Sequence, residues 1–320
     1  IEGGLNCFEF IYILEPDVYK KYLKRGIYSI IPQKYLIKLK IKPRFITYFT
    51  NENGNRIGKG IGVFLIYDGL GREEYVRMAI ESLNKFKEEN TRKILLDNLH
   101  IISSEDIHVI EKETNMEIID GKKVLIRFLP CVLQRIAKEL NINIRDEEIL
   151  IIGEDGDLTR QLIQVLSREA RFLTLVGEDE NYIQGLVQEI YSATGLSVFY
   201  SKNIDRILTN YSIIINLKDN QYINLNNLKS KCLIFDFSIE KILRNNLKNK
   251  YAIVVEDFLF RIPQTISEKE YFPLYNEISS WKYEAIELFD KSHLYKLQIN
   301  GEKYDIKSFV DFQIRDKRKI

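Results

Sequence analysis

With 320 residues, of which 45% are hydrophobic and 29% charged, the chain has the composition of an ordered globular protein and exceeds the length that one hydrophobic core commonly serves, so two domains are expected. Its 47 Lys and Arg against 46 Asp and Glu leave a formal charge of +1, too little for a global field that would gather nucleic acid. No apolar run approaches the roughly 20 residues of a bilayer span, and the three cysteines, Cys7, Cys131 and Cys232, are odd in number without metal-ligand spacing. Reduced thiols in a cytoplasmic protein, with no membrane or nucleic-acid partner, are the expectation.

Residues 8–14 (FEFIYIL) form an apolar run closed by Glu15-Pro16, and residues 45–50 (FITYFT) are aromatic and β-branched; both predict strands. Asn53-Gly54 then supplies a turn, and a return strand over Ile61 to Tyr67 completes a hairpin with a Gly-rich arm. From Arg72 to Lys87, Tyr75, Met78, Ile80, Leu83 and Phe86 recur at helical steps. These elements predict an N-terminal α/β domain over residues 1–120, a substrate or partner domain ending at Asp120-Gly121. A connecting helix within 121–144 carries Val124, Leu125, Phe128, Leu129, Val132, Leu133, Ile136 and Leu140 on one stripe, which Pro130 should kink or restart.

Beyond it, strands at 148–152, 171–176, 196–200, 212–217, 232–237 and 251–256 alternate with helices at 157–168, 181–193 and 203–209. Continuous apolar strands separated by amphipathic helices predict a parallel sheet covered on both faces. Right-handed crossovers make that sheet a doubly wound, Rossmann-type α/β domain over residues 145–268. Residues 269–320 are expected to add a helix within Tyr271 to Asp290 and a hairpin turned at Asn300-Gly301, packing back on the domain junction.

The first strand of that alternation runs into Gly153-Glu154-Asp155-Gly156-Asp157-Leu158-Thr159-Arg160 and then into a helix. The first glycine permits a tight turn, the second a close phosphate, and the helix N-terminus offers unpaired amides to a pyrophosphate. Thr159 stands at the third small position. Glu178, after the second strand, is placed to accept hydrogen bonds from an adenosine ribose and to repel a 2′-phosphate, which favours NAD over NADP. Asn216 ends a later strand at the same carboxyl edge. The candidate cofactor-binding residues are therefore Gly153, Gly156, Asp157, Thr159, Glu178 and Asn216. Glu154, Asp155 and Asp157 also put three carboxylates where phosphates would lie, and early-turn acids cap helices without any ligand, so a domain that binds no cofactor is the alternative.

Three stretches carry a family resemblance. LNINIRDEE leading into IIGEDGDLTRQL is similar to an apolar strand and GxxGxxG loop; KCLIFDFSI, Lys231 to Ile239, looks like a late strand ending in Asp, a small residue and Ala-X-Pro; AIVVEDFLFRIP, Ala252 to Pro263, is similar to a Val-Ile-Glu-Gly-Gly strand before a Val-Pro. From Gly121 onward the order of elements resembles the family that contains shikimate dehydrogenase, glutamyl-tRNA reductase and the long-chain acyl-carrier-protein reductases. What the resemblance implies is an NAD(P)-dependent reductase with its substrate between two domains.

The reductases of that family attack with a cysteine thiolate, yet the stretch that looks like their active-site helix carries Ser279, Ser280, Trp281 and Lys282 without a cysteine. Cys131, among apolar residues beside Pro130, is expected to be a buried structural thiol, and Cys7 and Cys232 packing residues. A dehydrogenase reading needs a Lys and Asp pair, for which Lys59, Lys122 and Asp236 are candidates, so the catalytic residues stay unassigned. His100, His108 and His293 are too scattered for a triad or a metal site, and no metal is expected. The expected function is a divergent NAD(P)-dependent oxidoreductase with a small-molecule substrate; the alternative is a non-catalytic Rossmann-fold protein, a ligand sensor or interaction module with a protein partner. A methyltransferase is a third reading, and a homodimer stays open.

Overall fold

A computed structural model of the chain describes residues 9–14, 16, 19, 20, 35, 42–50, 55–65, 70–97, 99–153, 156–219, 228, 229, 232–246, 252–261, 277–286 and 289–311. They divide into two compact units, one built on the residues up to Asp120 with residues 284–286, the end of the helix Ser280–Ile286, and one on Gly121–Arg261 with residues 277–283 and 289–311. Cys7, Asn53, Gly54, Glu154, Asp155 and residues 271–276 lie outside the described residues.

In the first unit the elements are β1 (Phe10–Leu14), β2 (Arg44–Thr50), β3 (Arg56–Gly62), α1 (Arg72–Phe86), β4 (Lys93–Leu96), α2 (Ser104–Thr114) and β5 (Glu117–Ile118). The sheet order is β2-β3-β1-β4-β5, with β2 antiparallel to β3 and the other neighbours parallel. Alternation along β1 sends Ile11 and Ile13 into a core shared with Ile61, Ile94 and Leu96 of the sheet, Ala79 and Leu83 of α1 and Ile110 of α2.

The return strand of the hairpin is Arg56–Gly62 and starts five residues before the expected Ile61, because the Gly-rich arm is itself the strand; Ile66 and Tyr67 lie outside the described residues. A Cβ on Gly58 would lie 2.3 Å from the Phe10 ring, and one on Gly62 would lie 2.0 Å from the Tyr19 ring. Alternate glycines thus leave a slot on one sheet face into which aromatic rings fit, and this close approach outweighs the poor strand propensity of glycine.

The second unit opens with α3 (Lys122–Leu140), a single 19-residue helix in which Pro130 neither stops nor restarts the chain. An interior proline costs about 3 kcal/mol, and burial of Val124, Leu125, Phe128, Leu129, Val132, Leu133 and Ile136 on one stripe offsets it. Cys131 falls on the flank of that stripe and is half-buried rather than buried.

Then follow β6 (Glu148–Ile152), α4 (Asp157–Leu166), β7 (Phe172–Val176), α5 (Glu180–Thr194), β8 (Val198–Ser201), α6 (Ile204–Ile207), β9 (Ile213–Asn216), β10 (Leu233–Asp236), α7 (Ile242–Asn246), β11 (Ile253–Phe260), α8 (Ser280–Ile286), β12 (Leu294–Ile299), β13 (Glu302–Tyr304) and α9 (Ile306–Phe309). The sheet runs β13-β12-β11-β10-β9-β6-β7-β8. All neighbours from β11 to β8 are parallel, whereas β12 and β13 are antiparallel additions.

Counted from β6, the parallel strands stand in the order 3-2-1-4-5-6, which is the doubly wound Rossmann arrangement. The protein is therefore a two-unit α/β fold with a Rossmann-type sheet in its second unit. Among the described residues between Tyr271 and Asp290 the expected helix is Ser280–Ile286, and Ile278 pairs with Phe260 in an antiparallel bridge. Phe260 also stacks on Tyr283 at 4.0 Å between ring centroids, with Phe128 of α3 edge-on to both. Among the described residues no helix is long and apolar enough to cross a membrane.

Candidate functional site

The chain leaves β6 toward β7 on one side and returns through β9 on the other, so the switch point of the sheet lies at the carboxyl end of β6. In open α/β sheets the crevice at that point is the ligand site. The described residues that follow β6, β7, β9 and β10 lie at that edge of the sheet.

Gly153 closes β6, its N–H donating to Val176 O at 3.0 Å. Thr159 is buried and packs directly on Gly153, so its methyl holds α4 against the strand. Gly156 caps α4 with φ +153°, a conformation that favours glycine, and a Cβ there would meet nothing within 4 Å. The requirement at Gly156 is conformational, and open space lies beside it. Asp157 begins α4 with its side chain 80% exposed and pairs with Arg160 at 3.0 Å, while Arg160 also approaches Glu189 at 3.3 Å. From α5 the Tyr182 hydroxyl donates to Gly156 O at 2.7 Å and ties the loop to the next helix.

Glu178, two residues beyond β7, is ion-paired with Lys218, two residues beyond β9, at 2.5 Å. The hydrogen bond and charge of Lys218 hold the Glu178 carboxyl below the usual carboxylate range. Asn216 is buried and committed to its neighbours: its Nδ2 donates to Lys218 O at 3.1 Å and to Asp236 Oδ1 at 3.0 Å, and its Oδ1 accepts from Lys218 N at 3.1 Å. Asn216 thereby shapes the turn that presents Lys218.

Asp236 is buried at the end of β10, where it accepts from Ser238 Oγ at 2.6 Å, Leu243 N at 2.8 Å and Arg244 N at 3.2 Å. Its carboxylate caps α7, which makes it a structural group. Lys122 pairs with Asp219 at 2.8 Å, and Asp219 accepts a second hydrogen bond from Ile239 N. Lys59, in the first unit, donates to Phe86 O at 2.9 Å and pairs with Glu88, closing the carbonyl end of α1. Burial pushes the Cys232 thiol up to about 12, so that sulfur is inert packing.

The structure brings Gly153, Gly156, Asp157, Thr159, Glu178 and Asn216 to one sheet edge, with Thr159 and Asn216 facing protein. Lys218 and Tyr182 join them and were not expected. Each meets a partner from a different βα unit, so local sequence carries no signal for either.

The sequence matches no family model and no curated protein. Among solved structures, L-tryptophan dehydrogenase from Nostoc punctiforme is 12% identical over 77% of this chain and 67% of its own, with a TM-score of 0.32. Aspartate transcarbamoylase from Trypanosoma cruzi, in complex with aspartate and phosphate, is 11% identical over 78% of this chain and 74% of its own, with a TM-score of 0.31. Pyrroline-2-carboxylate reductase from Thermococcus litoralis, in complex with NADH and L-proline, is 11% identical over 36% of each chain, with a TM-score of 0.27. This chain therefore spans little more than a third of that reductase's length.

Proposed function

We propose that the second unit binds a nicotinamide dinucleotide and that the chain is a divergent NAD(P)-dependent oxidoreductase acting on a small molecule. The observation that carries this reading is the coincidence of the Gly153 to Gly156 turn with the switch point of a 3-2-1-4-5-6 sheet. Gly156 leaves open space at the start of α4, where the positive end of the helix dipole favours a phosphate. Glu178 is ion-paired through one oxygen with Lys218 while its side chain stays 76% exposed, which leaves room for it to accept ribose hydroxyls as well. A bound dinucleotide would supply hydride transfer; the residues named here bind and orient it.

A second reading, a Rossmann-fold protein used for ligand sensing or protein contact, is favoured by the commitments of Asp236, Lys122 and Lys59 to structural partners and by the buried Cys232. Calorimetric titration with NADH, NADPH and S-adenosylmethionine separates the readings. Saturable NADH or NADPH binding that Gly156→Asp abolishes is the expected result. Silence toward all three at millimolar concentration would overturn the oxidoreductase reading in favour of the second, and binding of S-adenosylmethionine alone would point to methyl transfer.

A further inference from the structure

The Glu178–Lys218 pair spans the switch point. β7 and β9 flank β6, and the register sets Val176 and Asn216 both level with Ile152. Two strand spacings, about 10 Å, separate the backbones from which the two side chains start, so the pair reaches across the end of β6 where Gly153 turns the chain. The two partners are held unequally. Lys218 has its backbone clamped on both sides by Asn216, which Asp236 anchors in turn, and its side chain is 20% exposed. Glu178 is 76% exposed.

We propose that Lys218 determines the choice between the two nicotinamide dinucleotides. A lone carboxylate after the second strand accepts the ribose 2′-hydroxyl and repels a 2′-phosphate. Here a positioned ammonium already stands against that carboxylate, so its charge cancels the repulsion and supplies a partner for the phosphate. The site therefore takes NADPH as readily as NADH, in place of the NAD preference that Glu178 alone implies. This rests on the reading that the second unit binds a dinucleotide.

The test is the ratio of NADPH to NADH dissociation constants, measured by calorimetry on the full chain. For the unaltered protein a ratio within about threefold of unity is expected. Lys218→Ala, leaving Glu178 bare, should raise the ratio by about tenfold, and Glu178→Ala, freeing Lys218, should move it the opposite way. Lys218→Gln serves where the alanine variant does not fold. A general loss of structure weakens both ligands together and leaves the ratio alone. Strong NADH preference in the unaltered protein, or a ratio that neither Lys218 variant moves, overturns the assignment while the dinucleotide reading stands. Failure of the unaltered protein to bind either nucleotide overturns both.

Discussion

Thr159 occupies the space that a side chain on Gly153 would need: a Cβ there would lie 2.7 Å from Thr159 Cγ2 and 3.0 Å from Leu175 Cδ1. The glycine that turns β6 into α4 is therefore required by packing, and the threonine sets how closely helix and strand approach. Gly153→Ala should destabilise the protein by about 1–3 kcal/mol. Combined with Thr159→Ala, the loss should fall short of the sum of the single losses by about 1 kcal/mol, since the residues compete for one volume. Urea unfolding of the four proteins checks this, and strict additivity would refute the competition.

Asp257 predicts a pH dependence. Burial raises its carboxyl, even though it accepts from Phe258 N at 2.8 Å and Ser280 N at 3.3 Å. An acid whose pKa is higher folded than unfolded holds its proton longer in the native state. Its contribution is thus most favourable below the ordinary value of 3.8 and is lost as pH rises through the raised folded value. Asp257→Asn keeps an acceptor and removes the titration. Its stability should decline less than that of the unaltered protein as pH rises from about 4 toward 8, compared by denaturant midpoints.

Pro130 interrupts the hydrogen bonding of a helix that is otherwise continuous. Pro130→Ala restores a backbone donor and should raise stability by about 1–3 kcal/mol, read as a shift in denaturant midpoint. A variant less stable than its parent would mean that the helix bends at Pro130 in a way its packing needs.

Cys232 and Cys131 should differ in reactivity. Cys232 is buried with its thiol raised to about 12, so it forms almost no thiolate near neutral pH, whereas Cys131 is half-buried. Limited alkylation of the native protein, followed by peptide mass spectrometry, should label Cys131 well before Cys232, with both labelled in denaturant. Equal native labelling would place Cys232 within reach of solvent.

The parallel half of the fold was legible because its strands are buried on both faces, so Ile149 to Ile152 and Ile213 to Ile215 read as unbroken apolar runs. β4, β5 and α2 were not read, although Ser103 caps α2 by accepting from Asp106 N, a Ser-x-x-Asp signal visible in the sequence. β3 was misplaced because what makes Gly58 and Gly62 suitable is the positions of Phe10 and Tyr19, which only tertiary structure supplies. The site divided along the same line. Gly153, Gly156 and Glu178 follow from their place after strands. Lys218 meets Glu178 at a separation of 40 residues and Tyr182 meets Gly156 at 26, and no periodicity connects either pair.

The antiparallel strand beside β11 bears on how the gene can be cut. β11 is eight residues long and buried along its whole length, and β12 pairs with its outer edge from Phe260 to Val255. A fragment stopped after the last parallel strand would keep all six strands of the nucleotide fold but leave that apolar edge with open amides and carbonyls, the template on which strands of separate molecules join. Expression boundaries drawn at the end of the alternating pattern should therefore yield inclusion bodies, and the shortest well-behaved fragment must run past Ile299.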